Sequence, residues 1–65
     1  MSEKIEIAVE VHYITDRAYL VSDTGDEDDA VWIPKSQVEP ITPPEIGEEV
    51  IFEIPEWLAE DKGLI

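Results

Sequence analysis

Cysteine is absent from this 65-residue sequence, histidine occurs once, and lysine and arginine together occur four times. The lack of cysteine excludes disulfides, thiolate metal sites and a cysteine nucleophile. A single histidine also excludes most zinc sites. The three glycines are scattered, so there is no glycine-rich phosphate-binding loop. No apolar run approaches the ~18 residues of a membrane span, and no basic-then-apolar leader is present. We therefore expect no cofactor, no bound metal and no contact with a membrane.

Acidic residues dominate what is present. Seventeen Asp and Glu against four Lys and Arg give a formal net charge of −13. Direct binding to nucleic acid is excluded, because a polyanion must be neutralised by basic side chains. Ile, Val, Leu and Phe nevertheless supply 19 of the 65 residues, above the roughly 20% below which charged chains stay unfolded. The composition predicts one small folded domain over residues 1–65.

Alternating apolar and polar residues predict four strands, at 4–14, 18–22, 30–33 and 48–54. The first is the clearest. Period-two alternation predicts one buried face, made of Ile5, Ile7, Val9, Val11 and Tyr13. The opposite, solvated face is then made of Lys4, Glu6, Ala8, Glu10 and His12.

The remaining segments predict connections and one helix. Residues 23–29 are a loop in which five carboxylates repel compact packing, and the three prolines of 39–47 predict an extended connector. Pro55 suits the first position of a helix, and Gly63 suits its left-handed terminator. The predicted fold is α+β: a small antiparallel sheet of about four strands, curled or barrel-like, with a short C-terminal helix. Trp32 and Trp57 are expected to close its core.

The sequence offers little for catalysis or metal binding. His12 is expected to be solvated, and none of the serines has a histidine near it in sequence, so we expect no enzyme activity. Gly25 falls third in the acidic loop, where an EF-hand needs glycine in sixth place. The loop is therefore better interpreted as a solvated turn than as a cation site. Base stacking on the two tryptophans would need a basic groove, which this composition does not provide.

The acidic residues are the strongest functional signal. Glu6 and Glu10 share one strand face about 13 Å apart, so a sheet could present a row of carboxylates similar to a nucleic-acid backbone. A basic, nucleic-acid-binding protein is the favoured partner, and simple solubility is the alternative. The candidate partner-binding residues are Glu6, Glu10, Asp23, Asp26, Glu27, Asp28, Asp29, Glu48, Glu49 and Glu53.

Two segments carry a resemblance. Residues 30–38 (AVWIPKSQV) and 54–64 (IPEWLAEDKGL) resemble a WIPKSQ…PEWLAxxKGL pattern of small proteins encoded by bacteriophages and mobile elements. In size and acidity the chain looks like a type I-C anti-CRISPR that imitates DNA. The resemblance implies a monomer in the host bacterial cytoplasm, which binds the PAM-reading large subunit of a type I-C surveillance complex and blocks target recognition. A phage replication or repair module that binds through apolar contacts, such as Tyr19, Trp32 or Trp57, is the alternative.

Overall fold

The computed structural model describes residues 3–65. The elements are β1 (Lys4–Ile14), β2 (Ala18–Ser22), a 3₁₀ turn (Glu27–Asp29), β3 (Val31–Pro34), β4 (Glu39–Pro40), β5 (Glu49–Pro55) and α1 (Glu56–Asp61). The five strands form one antiparallel sheet in the order β3-β2-β1-β5-β4, and the short helix follows the last strand. The α+β class, the antiparallel sheet and the C-terminal helix are confirmed. The sheet ends at β3 and β4 and is not closed into a barrel.

The fifth strand lies in the proline-rich connector, for which we predicted only extended chain. Glu39 and Pro40 pair with Glu53 and Phe52 at the edge of the sheet. An edge position accepts proline, since a proline nitrogen that faces solvent has no ladder hydrogen bond to donate. The prediction of about four strands is therefore one too few, because two residues give no alternation pattern to detect.

The core lies on one face of the sheet and is closed by α1. Its centre is Phe52, which is fully buried and packs against Tyr19 with ring centroids 4.9 Å apart. Each of the other core residues is less than a tenth exposed. They come from every strand except β4, from α1, and from the chain that follows β3 and α1: Val9, Val11, Val21, Ile33, Val38, Val50, Ile54, Leu58, Ala59 and Leu64. Because so much of the core is β-branched or aromatic, it suits a pleated surface.

A β-bulge at His12 corrects the predicted faces of β1. Val11 pairs with Val21 and Tyr13 with Leu20, so His12 has no partner on β2. The extra residue shifts the alternation by one position, as bulges do. Tyr13 is consequently 55% exposed instead of buried. Its neighbour Ile14 packs against the core in its place.

The predicted roles of the two tryptophans are wrong. Trp32 and Trp57 are 46% and 50% exposed. The helix packs on the core through Leu58 and Ala59, and Leu64 joins them from the chain after the helix. Trp32 faces outward because its neighbours in the four-residue strand β3, Val31 and Ile33, face the core. On α1, Trp57 lies at the solvent, although the next residue, Leu58, is buried in the core.

The helix ends as the sequence predicts but starts one residue later. Pro55 still pairs with Lys4 in the sheet and precedes the first helical residue. At the other end Gly63 has φ = 72°, and its N–H donates to Glu60 while the N–H of Leu64 donates to Ala59. This pair of bonds is the Schellman motif, which needs a left-handed residue where glycine stands. Within residues 3–65, no helix has the length and apolar character required to cross a lipid bilayer.

Candidate acidic interface

Glutamates face one another across the strands on the side of the sheet opposite the core. On β1 and β5, Glu6 pairs with Glu53 and Glu10 with Glu49. On β5 and β4, Glu53 also pairs with Glu39. Directly opposed residues point to the same face with Cβ atoms about 4.5–5.5 Å apart. We call this group of five, Glu6, Glu10, Glu39, Glu49 and Glu53, the acidic face.

The acidic face has a regular layout. Glu39, Glu53 and Glu6 form one row across three strands, and Glu49 and Glu10 form a second row about 13 Å away along β1. Between the rows lie Ala8 and Ile51, which also oppose one another. Strands hold their side chains at fixed spacing, so this arrangement of anions is set by the sheet register and not by flexible chain.

The acidic loop, residues 23–29, adjoins the second row. Ser22, which immediately precedes the loop, pairs with Glu10, and a methyl group placed on Gly25 would lie 3.6 Å from the Glu10 carboxylate. The loop is more ordered than charge repulsion predicts. The Asp26 carboxylate accepts from the Asp28 N–H at 2.9 Å, and the Thr24 hydroxyl donates to Asp29 at 3.1 Å. These bonds hold the 3₁₀ turn, so the loop carboxylates Asp23, Asp26, Glu27, Asp28 and Asp29 extend the anionic surface from a defined backbone.

Two residues differ from the predicted site. Glu48 is exposed in the turn before β5, where its carbonyl accepts from the Val11 N–H at 3.1 Å. Because it precedes Glu49 by one residue, it is out of phase with the acidic face. Glu39 belongs to the face but was not predicted, since its place depends on the two-residue strand β4. The sequence shows at this position only a glutamate followed by a proline. It does not show which residue Glu39 opposes in the sheet.

Basic side chains are distributed unevenly around this surface. Lys4 lies at one end of the acidic face, with its Nζ 3.8 Å from a Glu53 oxygen, and both side chains are solvent-accessible. Such exposed pairs contribute little to stability. The Lys35 ammonium group instead lies over the buried ring of Tyr19, 5.1 Å from the ring centroid. The backbone N–H of Lys35 donates to the backbone carbonyl of Arg17. In the described part of the chain, Lys4 is therefore the one Lys or Arg residue that forms an ion pair with the five carboxylates of the acidic face.

A serine, a histidine and a glutamate meet at the bulge, contrary to the predicted solvation of His12. The His12 side chain is only 9% exposed; its Nε2 shares a 2.7 Å hydrogen bond with the Ser22 hydroxyl, and its Nδ1 lies 3.6 Å from Glu10. This is the order of groups in a hydrolase triad. Ser22, however, is fully buried and its Oγ accepts the Gly25 N–H at 3.0 Å. In this conformation no substrate reaches the hydroxyl, and the three side chains join β1, β2 and the acidic loop.

An apolar row lies on the same outer face, on the far side of the bulge from the glutamates. Tyr13 opposes Leu20, and Leu20 opposes Trp32. The Tyr13 and Trp32 rings meet edge to face, with centroids 6.5 Å apart and an interplanar angle of 87°. We call these three residues the apolar row. Sequence reasoning missed it because the bulge, which places Tyr13 outward, was not predicted.

Neither metal-site geometry nor similarity to known proteins adds to these observations. In the part of the chain that the structure describes, residues 3–65, no three acidic or histidine side chains are grouped so that they could hold a metal ion. No protein-family model, curated protein or solved structure matches the chain.

Proposed function

We propose that this protein is a non-catalytic inhibitor whose acidic face occupies the nucleic-acid-binding surface of a basic protein. The observation that carries the proposal is the register of the sheet, which sets three pairs of glutamates directly opposite one another. Opposed like charges destabilise a sheet. Within residues 3–65, the one Lys or Arg side chain that pairs with a glutamate of that face is Lys4.

Solubility alone accounts poorly for this arrangement. Net charge maintains solubility wherever it lies on a surface, and separated carboxylates would supply it without repulsion across the strands. A domain of 65 residues has little stability to spare, because it buries a smaller fraction of its surface than a larger domain does. The repulsion between opposed glutamates lowers stability at three positions on one face. This repeated loss is more consistent with selection for binding than with selection for solubility alone.

The charge density of the face is similar to that of duplex DNA. DNA carries one negative charge per about 1.7 Å of axis, so the ~13 Å between the two rows corresponds to about eight phosphates. The acidic face provides five carboxylates over that length, and the acidic loop adds five more beside Glu10. A groove lined with Lys and Arg would therefore meet a comparable field.

The sequence resemblance supplies the specific form of the proposal. The protein acts as a phage-encoded anti-CRISPR, a monomer in the host bacterial cytoplasm that binds the PAM-reading large subunit of a type I-C surveillance complex. It thereby competes with target DNA. Support for this partner comes from the resemblance and from the acidic face together.

A gel-shift competition tests this function. Labelled target DNA is bound by the purified type I-C complex, and the protein is then added up to saturation. We expect the shifted band to disappear, with an apparent affinity that falls steeply as salt rises, because steering between opposite charges is screened. Undiminished DNA binding at saturating protein contradicts the proposal.

A second candidate function is favoured by the apolar row. Tyr13 and Trp32 are large, exposed and adjacent, as in an accessory module that docks on a phage replication or repair protein through apolar contacts. Tyr19, expected at such a surface, is instead buried. Reversal of charge at Glu6 and Glu49 discriminates between the two functions, since an apolar module tolerates it and a DNA mimic does not.

A further inference from the structure

The apolar row is a built feature of the outer face and not a by-product of packing. It depends on the bulge at His12, which turns Tyr13 outward into register with Leu20 and Trp32. His12 itself is held by Ser22 and Glu10. About half of each aromatic residue remains exposed although the two rings contact one another. Exposed adjacent Trp and Tyr side chains are typical anchors of protein interfaces.

Acidic residues border this row on one side. Towards the acidic loop, Ser22 follows Leu20 by two residues, and Asp29 precedes Trp32 by three. Glu10 lies beyond the bulge on β1, within about 10 Å of chain from Tyr13. An occupant of the row therefore meets carboxylates along this border.

This acidic border selects among occupants. A second copy of the chain would bring another net charge of −13 against the same surface, which opposes self-association. A nucleic acid is repelled by the neighbouring loop and Glu10. A protein segment that carries basic side chains and an apolar residue packs the apolar residue on the row and pairs its basic side chains with the acidic border.

The geometry points to the apolar row as the anchor of the partner interface: an apolar side chain of a basic amphipathic segment packs on Tyr13, Leu20 and Trp32. The Lys and Arg side chains of the same segment reach Glu10 and the acidic loop. This inference rests on the proposed function and deepens it. The acidic groups then speed association by steering the partner, while the row positions the bound partner and slows its dissociation.

Two labelled helical peptides test the inference. The first is a 20-residue Lys/Leu amphipathic peptide, and the second has the same lysines with every leucine replaced by serine. Fluorescence anisotropy gives the affinity of each peptide for wild type, Trp32→Ala and the matched control Trp57→Ala, which removes an equally exposed tryptophan from α1. We expect wild type and Trp57→Ala to bind the Lys/Leu peptide at least about tenfold more tightly than Trp32→Ala does. The Lys/Ser peptide should bind all three proteins equally and weakly.

Tryptophan emission gives a second readout that does not depend on truncating the row. In the variant Trp57→Phe the remaining tryptophan is Trp32, and its emission should shift to the blue when the Lys/Leu peptide is added. In Trp32→Phe, the emission of Trp57 should stay unchanged. A shift confined to Trp57 overturns the inference, as does a wild-type protein that fails to prefer the Lys/Leu peptide.

The outcomes separate this inference from the proposed function. If Glu49→Gln weakens both peptides while Trp32→Ala weakens neither, the anchor is wrong and charge mimicry stands. If Trp32→Ala weakens the Lys/Leu peptide while Glu49→Gln weakens neither, the anchor stands and mimicry fails. A wild-type dimer in sedimentation velocity that Trp32→Ala dissociates assigns the row to a second copy and overturns the inference.

Discussion

Ser22 joins the rigid sheet to the acidic loop. Its buried hydroxyl contacts the ring of His12 and accepts the N–H of Gly25, so one side chain satisfies a bulge residue and a loop residue at once. Buried polar groups of this kind contribute little net energy while paired and cost much when a partner is removed. The position of the loop carboxylates therefore depends on a residue that carries no charge.

The variant Ser22→Ala tests this role. It leaves the Gly25 N–H and His12 Nε2 without their partner, and we expect a loss of about 1–3 kcal/mol in the free energy of unfolding, measured by urea denaturation. The control Ser36→Ala, at an exposed turn position, should stay within about 0.5 kcal/mol of wild type. Equal stability of the two variants would show that the Ser22 bonds are dispensable.

At the scale of elements, β1 and β5 stabilise the fold through one face and, in the proposed function, bind the partner through the other. Ile7 opposes Phe52 on the core side, while one residue away Glu6 opposes Glu53 on the outer side. The same register thus aligns apolar side chains favourably and acidic side chains unfavourably. A trade-off between stability and affinity follows, and it belongs to the strand pair and not to a single residue.

Glu49→Gln should reveal this trade-off. Removal of the charge opposite Glu10 relieves repulsion, and we expect the free energy of unfolding to rise by up to about 1 kcal/mol. Binding to the surveillance complex should weaken at the same time. Glu60→Gln on the exposed side of α1 is the control and should change both quantities less. A Glu49→Gln protein that is less stable than wild type contradicts the account of opposed charges.

The C-terminal helix gives a prediction of its own, because its end depends on one backbone conformation. Gly63 adopts φ = 72°, and apart from its two chain neighbours no residue comes within 4 Å of a methyl group placed there. Gly63→Ala should therefore cost about 1–2 kcal/mol of unfolding free energy through the left-handed backbone alone. Gly63→Asn should cost less, because asparagine tolerates this region. Equal losses in the two variants, measured by urea denaturation, would argue for a steric cause instead.

For the whole molecule, a net charge of −13 makes stability depend on salt. Between about 0.1 M and 1 M NaCl the screening length falls from about 10 Å to about 3 Å, shorter than the separation of opposed carboxylates. We expect the melting temperature to rise by several degrees, since about 1 kcal/mol corresponds to 4–8 °C in a domain of this size. Calorimetry across the salt series checks this. A melting temperature that is indifferent to salt would mean that the charges are already compensated.

The sequence predicted local structure better than long-range pairing. The bounds of β1 and β2 and the terminator Gly63 follow from alternation and from backbone preference, which act between near neighbours. The bulge does not, because Tyr13 and Ile14 are both apolar and fit either phase of the alternation. Glu6 and Glu49 lie on the solvated strand faces that the alternation predicts, and their role in binding stays a prediction. That Glu6 opposes Glu53, and that Glu39 joins them, depends on register between distant segments.

The central claim concerns where the charge lies, so the most direct test compares two variants of equal net charge. Three glutamines replace glutamates of the acidic face in one variant, at Glu6, Glu39 and Glu49. Three amides replace exposed acids of α1 in the other, at Glu56, Glu60 and Asp61. Both proteins carry −10, from −13 plus three.

The measurement is the association rate constant with the type I-C surveillance complex at low salt. The account predicts a fall of about tenfold or more for the acidic-face variant and a change within about twofold for the α1 variant, because steering depends on the local arrangement of charge. Equal rate constants for the two variants would contradict it.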